Sequence, residues 1–302
     1  MRSGLVWVAA IAGCGRIGFD DRTSASDAGA DARTTCVWSP ALVVANVNSA
    51  SYDWEPALSP DGRVLVFTRS PLGQMGPTHL FVAIRPQPTD PFGAPVLSSG
   101  LLGPSSDAGA VWTPDGTQLY FVSDRLVVKS PRLWVSTYLG NGMFQPPATV
   151  AELANESLVG PGLSHDGLEM FYCDGEMMGT TTAAMMMRRA TRATTSSPWV
   201  VQGVVAEIST PGGGCFPTLS PDGLTMYFES HRDNVDGLIY QAARPAIGAA
   251  FGAITRVDDL DAGAAAAGDP ELSPDGLGMI FAAARPGNQG LQDLYTSRLT
   301  CP

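Results

Sequence analysis

Ser59-Pro60-Asp61-Gly62 is the stretch on which the fold is decided. Pro presets φ for the first central position of a β-turn, Asp tolerates the second, and Gly supplies the positive φ with which the next strand begins. The tetrad returns as Thr113-Pro114-Asp115-Gly116, Ser164-His165-Asp166-Gly167, Ser220-Pro221-Asp222-Gly223 and Ser273-Pro274-Asp275-Gly276. Successive aspartates lie 51 to 56 residues apart, and such even spacing is the mark of a repeat architecture. Asp61, Asp115, Asp166, Asp222 and Asp275 are therefore read as structural turn residues and not as a catalytic set.

An apolar residue stands just before each tetrad (Leu58, Val111, Leu163, Leu219, Leu272). An apolar-aromatic strand follows it: Val64-Leu65-Val66-Phe67, Leu119-Tyr120-Phe121, Met170-Phe171-Tyr172, Met226-Tyr227-Phe228 and Met279-Ile280-Phe281. Unbroken apolar runs, in place of strict alternation, mark strands buried on both faces. A third strand is predicted at Leu80-Phe81-Val82, Leu133-Trp134-Val135, Leu238-Ile239-Tyr240 and Leu294-Tyr295. A fourth opens on an aromatic residue, at Trp38, Phe92, Phe144, Trp199 and Phe251. Four strands in each unit of about fifty residues is the arithmetic of a β-propeller. With 34 Gly and 24 Pro among 302 residues, 16% charged residues and no capped helical periodicity, the chain reads as all-β. It starts in a fourth strand and ends after a third. The N-terminal strand is thus expected to complete the last blade and close a five-bladed β-propeller of four-stranded blades.

The pattern Pro-x-apolar-Ser-Pro-Asp-Gly, followed by an x-apolar-x-Phe strand, resembles the WD-like β-propeller repeats of TolB-type proteins. The resemblance covers about Trp38 to Leu299. The third repeat departs from it: His165 replaces Pro, and Met185-Met186-Met187-Arg188 stands where Leu-Tyr is expected. The outer half of that blade is expected to be irregular.

The N-terminus reads as an address. Arg2 precedes the short apolar run Leu5-Val6-Trp7-Val8-Ala9-Ala10-Ile11, far below the roughly 20 residues that span a bilayer. The run ends in Ile11-Ala12-Gly13-Cys14, which resembles the lipobox of bacterial lipoproteins. The resemblance implies a signal peptide over residues 1–13 and lipidation at Cys14. It also implies a location exported and lipid-anchored to the bacterial envelope, with Gly15 pointing to the outer membrane. Residues 14–35 contain Ser24-Ala25-Ser26-Asp27-Ala28-Gly29-Ala30-Asp31-Ala32 and read as a flexible tether. Residues 36–302 form the propeller.

Assigning Cys14 to lipid leaves four cysteines, an even number for an oxidising compartment. Cys36 and Cys301 stand where an ordinary blade has its loop between third and fourth strands, so a Cys36–Cys301 disulfide would replace that loop covalently. Cys173 ends a second strand and Cys215 begins the next inner strand, so a Cys173–Cys215 bridge would tie blade three to blade four.

The net charge of −11 disfavours nucleic acid, and no basic cluster addresses a membrane surface, which leaves the anchor as the membrane contact. The three histidines (His79, His165, His231) fall in different repeats with no ligand spacing, and no nucleophile elbow, phosphate loop or zinc pattern is present. No catalytic role is expected, nor any cofactor. The exception is a cation such as Ca²⁺ at the channel mouth, where Asp53, Glu55, Asp107, Asp269 and Glu271 precede the tetrads and are expected to converge. Arg125, Arg232 and Arg285 are expected to brace loops. Two functions compete. The favoured one is a monomeric, non-enzymatic binding scaffold in the cell envelope whose partner is a protein, a peptide or a glycan. The alternative is a carbohydrate-active, glycosidase-like propeller using channel carboxylates.

Overall fold

The computed structural model describes residues 36–70, 77–175, 185–209, 212–233 and 236–302. The leader, Cys14 and the tether lie outside the described residues. Blade one runs through Tyr52–Leu58, Val64–Ser70, His79–Ile84 and Val96–Leu97. Blade two has Asp107–Trp112, Gln118–Ser123 and Arg132–Gly140, with its outer edge in two pieces, Met143–Phe144 and Ala148–Thr149. Blade three comprises Leu158–Leu163, Glu169–Asp174, Met186–Thr191 and Val200–Val204, and blade four Cys215–Leu219, Thr225–Ser230, Leu238–Ala243 and Ile254–Arg256. Blade five takes Ala266–Leu272, Gly278–Ala284 and Asp293–Thr300 from the end of the chain. Its outer edge comes from the beginning: Val37 pairs with Thr300, and Leu42 with Thr296. Each inner strand lies beside the next, and the fifth returns to the first. The protein is a five-bladed β-propeller of antiparallel blades.

The tetrads hold the inner hairpins. Ser59 Oγ donates to Asp61 Oδ1 at 2.6 Å and receives the Val64 N–H at 2.8 Å, while Gly62 takes φ 68°. The same hydroxyl-to-aspartate bond recurs at Thr113–Asp115, Ser164–Asp166, Ser220–Asp222 and Ser273–Asp275. These bonds hold the Asp115, Asp222 and Asp275 carboxyls below the usual carboxylate range. All five aspartates are thereby spent on turns.

The core is divided among the seams between blades. Trp112 and Phe121 meet Val66 and Val82 between blades one and two, and Tyr172 and Met170 meet Val122 and Leu133 between two and three. Phe171 meets Phe228 and Phe251 between three and four, and Phe281 meets Tyr227 and Ile239 between four and five. The closing seam places Leu294 and Ile280 against Phe67 and Leu65. The aromatic residues that precede the outer strands are buried, and an arginine lies over the ring of three of them: Arg85 on Phe92, Arg192 on Trp199, Arg244 on Phe251. Each of these guanidinium groups also donates to the tetrad glycine carbonyl of its own blade, at 2.7 to 2.8 Å. One side chain thus ties the outer edge of the blade to its inner turn.

Blade three corrects an expectation. Its third strand pairs along its length with Glu169–Asp174 despite the methionine run, and the irregularity is confined to a register shift against the fourth strand between Arg189 and Ala190. Unbranched Met fills the space that Leu and Tyr fill elsewhere: Met187 is fully buried beside Phe171. The structure joins Cys36 to Cys301 across a sequence separation of 265 residues and Cys173 to Cys215 across 42.

Candidate functional site

Every inner strand slips register by one residue at the same place, six positions before the tetrad aspartate. The residue at each bulge has left-handed backbone: Glu55 (φ 48°), Gly109 (54°), Gly160 (53°), Phe216 (52°) and Asp269 (51°). Four of the five are followed by Pro, whose clash with the preceding residue keeps the chain out of an ordinary helical turn. The five bulges ring the channel. A left-handed residue with a side chain costs about 1–2 kcal/mol relative to the right-handed form. Glycine avoids that cost, and two blades use it.

The three that do not, Glu55, Phe216 and Asp269, line a single narrow void together with Glu271, Gly109 and Gly160. Glu55 Oε2 accepts from Thr68 Oγ1 at 2.6 Å and from the Gly109 N–H at 2.8 Å. Asp269 Oδ2 accepts from the Glu55 N–H at 3.4 Å. Glu271 sits one step deeper, with Oε1 accepting the Leu58 N–H at 3.2 Å and Oε2 3.5 Å from Thr218 Oγ1. Loss of water raises all three carboxyls: Glu55 is pushed up, Glu271 to about 8, and Asp269 well above its ordinary value. For Asp269 the charges of Glu229 and Glu55 add to burial. At neutral pH Glu271 therefore keeps its proton, and Asp269 is biased the same way. The void near them has a volume of about 30 Å³, enough for a water or two.

Glu229 is the member the sequence did not reveal. It comes from the second strand of blade four, and a Cβ on Gly268 would lie 1.9 Å from its Oε2, so the carboxyl rests on bare backbone. Its Oε1 is 2.9 Å from His231 Nε2. A second-strand residue reaching inward over a glycine leaves no periodic signal.

Asp53 and Asp107 correct the other way. Neither opens onto the channel. Asp53 is fully buried, bound to Arg69 Nε at 2.5 Å and to the N–H and hydroxyl of Ser49 at 2.7 and 3.0 Å. Asp107 is bound to Arg125 Nη2 at 2.6 Å and to the Gly103 N–H at 2.7 Å. A buried carboxylate needs such partners, and these two hold the entry loops of blades one and two. Arg125, Arg232 and Arg285 likewise donate to loop carbonyls, at Leu101, Ile208 and Leu260. Among the described residues no group of three or more Asp, Glu, His or Cys is placed to hold a metal ion.

No family model matches the sequence, and no curated protein does. Solved structures match the fold. An arabinanase from Bacillus subtilis superposes with TM-score 0.54 at 10% identity, covering 83% of this chain and 96% of that one. A protein of unknown function from Dyadobacter fermentans gives 0.54 at 11%, covering 88% and 99%. TolB from Acinetobacter baumannii gives 0.39 at 16%, covering 82% of this chain and 43% of that one, so the chain spans less than half of that TolB. The class is thus a five-bladed β-propeller, a fold with the likeness just given to the arabinanase. The expectation of no enzymatic role is overturned to this extent: an enzyme, the arabinanase, is built on the same fold. It rested on the lack of contiguous catalytic motifs, and a propeller that assembles carboxyls from separate blades needs none. Two disulfides are consistent with an exported protein.

Proposed function

We propose that the chain is an exported, lipid-anchored propeller of the cell envelope that binds a glycan at its channel mouth. One observation carries this reading: three of the five left-handed positions bear Glu55, Phe216 and Asp269 where glycine would be unstrained. Strain of this kind gathers at functional sites. The chemistry suits a polyol. Proton-bearing carboxyls both donate to and accept from hydroxyl groups, and an aromatic ring offers an apolar face to the C–H side of a sugar. The small void means that the ligand lies over the mouth and does not thread the channel. The anchor rests on the lipobox-like Ile11-Ala12-Gly13-Cys14.

Glycan-array screening, followed by calorimetry on any hit, tests the reading. Binding should weaken at least about tenfold, roughly 1.4 kcal/mol, in Asp269→Asn and in Glu55→Gln. No hit, or hits indifferent to both changes, would sink it. A second reading is favoured by one feature, the meeting of carboxyls from two blades at one void, Glu55 with Asp269 and Glu271: hydrolysis of a glycosidic bond by an acid–base pair. Release of reducing sugar from a bound oligosaccharide, lost in Glu55→Gln, would select it.

A further inference from the structure

The connection between second and third strands of blade two, residues 124–131, leaves the propeller on the side of the channel mouth. Its sequence is Asp124-Arg125-Leu126-Val127-Val128-Lys129-Ser130-Pro131. Leu126, Val127 and Val128 are 64, 60 and 71% exposed. Three consecutive aliphatic side chains held out to water disfavour the folded state unless something takes them up.

The loop is built to hold them there. Asp124 Oδ1 accepts the Ser106 N–H at 2.8 Å, and its Oδ2 accepts the Lys129 N–H at 2.8 Å. The Ser130 N–H reaches the Val127 carbonyl at 2.9 Å, closing the tip. Lys129 adopts φ 63°, the left-handed turn that sends the chain back. Arg125, at the base, is fixed by Ser123 Oγ at 2.9 Å and by the Leu101 carbonyl and Asp107 Oδ1. The tip therefore cannot fold its aliphatic groups back onto the blade.

The charge beside the tip is of the opposite sign to the protein. Lys129 is the only lysine in the sequence, in a chain of net charge −11. Among the described residues its ammonium meets no carboxylate, and the guanidinium of Arg132 touches only the carbonyls of Pro131 and Glu156, at 3.0 and 3.4 Å. Asp124, the one carboxylate in the loop, is spent on backbone N–H groups. We infer that this loop inserts into the interfacial layer of a lipid bilayer that carries anionic headgroups. Aliphatic groups with adjacent cations suit that layer, the first entering the acyl boundary and the second meeting phosphate. Protein interfaces instead centre on Trp, Tyr and Arg anchors, and the apex Leu126-Val127-Val128 has none of these. A short apolar loop binds weakly by itself, so it serves as a second contact for a chain already held near the membrane. Insertion turns the channel mouth toward the headgroups.

The test uses the mature chain with a polarity-sensitive dye at Val127→Cys or, as a control on the outer strand of blade three, at Val200→Cys. Vesicles are phosphatidylcholine alone or with a minority of phosphatidylglycerol, and both carry brominated acyl chains as quencher. The dye at position 127 should shift to the blue and be quenched in the mixed vesicles, while the dye at 200 stays as in water. Lys129→Gln should lower the inserted fraction roughly fivefold, the weight of one cation at an anionic surface. Flotation reports the anchor separately. A chain that floats with its tip dye as water-exposed as the control overturns the inference, and so does a chain that does not float at all. A photo-crosslinker at Val127 that captures an envelope protein in place of lipid overturns it too.

Discussion

The channel wall has two halves built on one backbone. On blades two and three the left-handed position is Gly109 and Gly160, at φ 54° and 53°. On blades one and five it is Glu55 and Asp269, at 48° and 51°, with Glu271 beneath them. Phe216 of blade four stands between the halves. Since φ hardly changes from blade to blade, the kink belongs to the fold and the carboxyls do not. The glycine half shows how little the ring requires. The acidic half shows what has been added, at the expense of backbone strain and of carboxyls deprived of water.

The sharpest break of this comparison is on the glycine side. A Cβ on Gly162 would lie 2.0 Å from the Pro217 carbonyl oxygen of the next inner strand. Gly162→Ala should destabilise by ~3 kcal/mol or more, read from urea unfolding, because backbone cannot yield as a flexible side chain does. Retention of wild-type stability would mean that the inner strands are looser than described.

On the acidic side the largest effect is expected at Glu271. The folded protein keeps its proton up to about pH 8, while an unfolded glutamate releases it near 4.5. Folded protein thus binds the extra proton between those values, and stability falls as pH rises through the window. Glu271→Gln keeps the acceptor for the Leu58 N–H and removes the charge. It should flatten that fall and leave the variant more stable above pH 8, by on the order of 2 kcal/mol. Unfolding midpoints across the pH range decide it, and parallel curves for the two proteins would refute the assignment. Asp269→Gly, which imports the glycine solution into the acidic half, should stabilise by ~1 kcal/mol at neutral pH while abolishing ligand binding. Loss of stability instead would show the carboxyl to be part of the fold. Phe216→Gly should give the smallest change, within ~1 kcal/mol. Relief at φ 52° there offsets lost contact with the Cys173–Cys215 cluster. A larger loss of thermal stability would move Phe216 from the site into the core.

The ring itself was legible because the tetrads recur and each needs its own residue types. Closure followed from the same phase, since a strand pattern that starts with a fourth strand at Trp38 and stops after a third at Tyr295 completes one blade from both its ends. The two halves of the channel were not legible. Charge along an inner strand does not say which face it takes, so the sequence does not separate Glu55 and Asp269 from Asp53 and Asp107. One signal was available for Asp53: it and Arg69 are equidistant from Asp61, which makes them partners across the hairpin. Glu229 gave no such signal, because its place depends on the bare backbone of Gly268 in the next blade. The unbroken pairing of the third blade's third strand with its second gave no signal for a related reason, since Met packs where the repeat expects Leu and Tyr.

Force reaching the ring along the chain before Cys36 would meet its weakest latch, the two-residue strands Val37–Trp38 and Leu42–Val43. Loaded from that end, pairs of residues would open one after another, as a zip does. The Cys36–Cys301 bond sends the pull instead into the end of Asp293–Thr300, eight residues long, whose residues 293–298 pair with Gly278–Ala284. Such a strand must slide as a unit before it yields, so peeling becomes shear. The propeller can then be held at its own closure point while a load acts on the opposite rim.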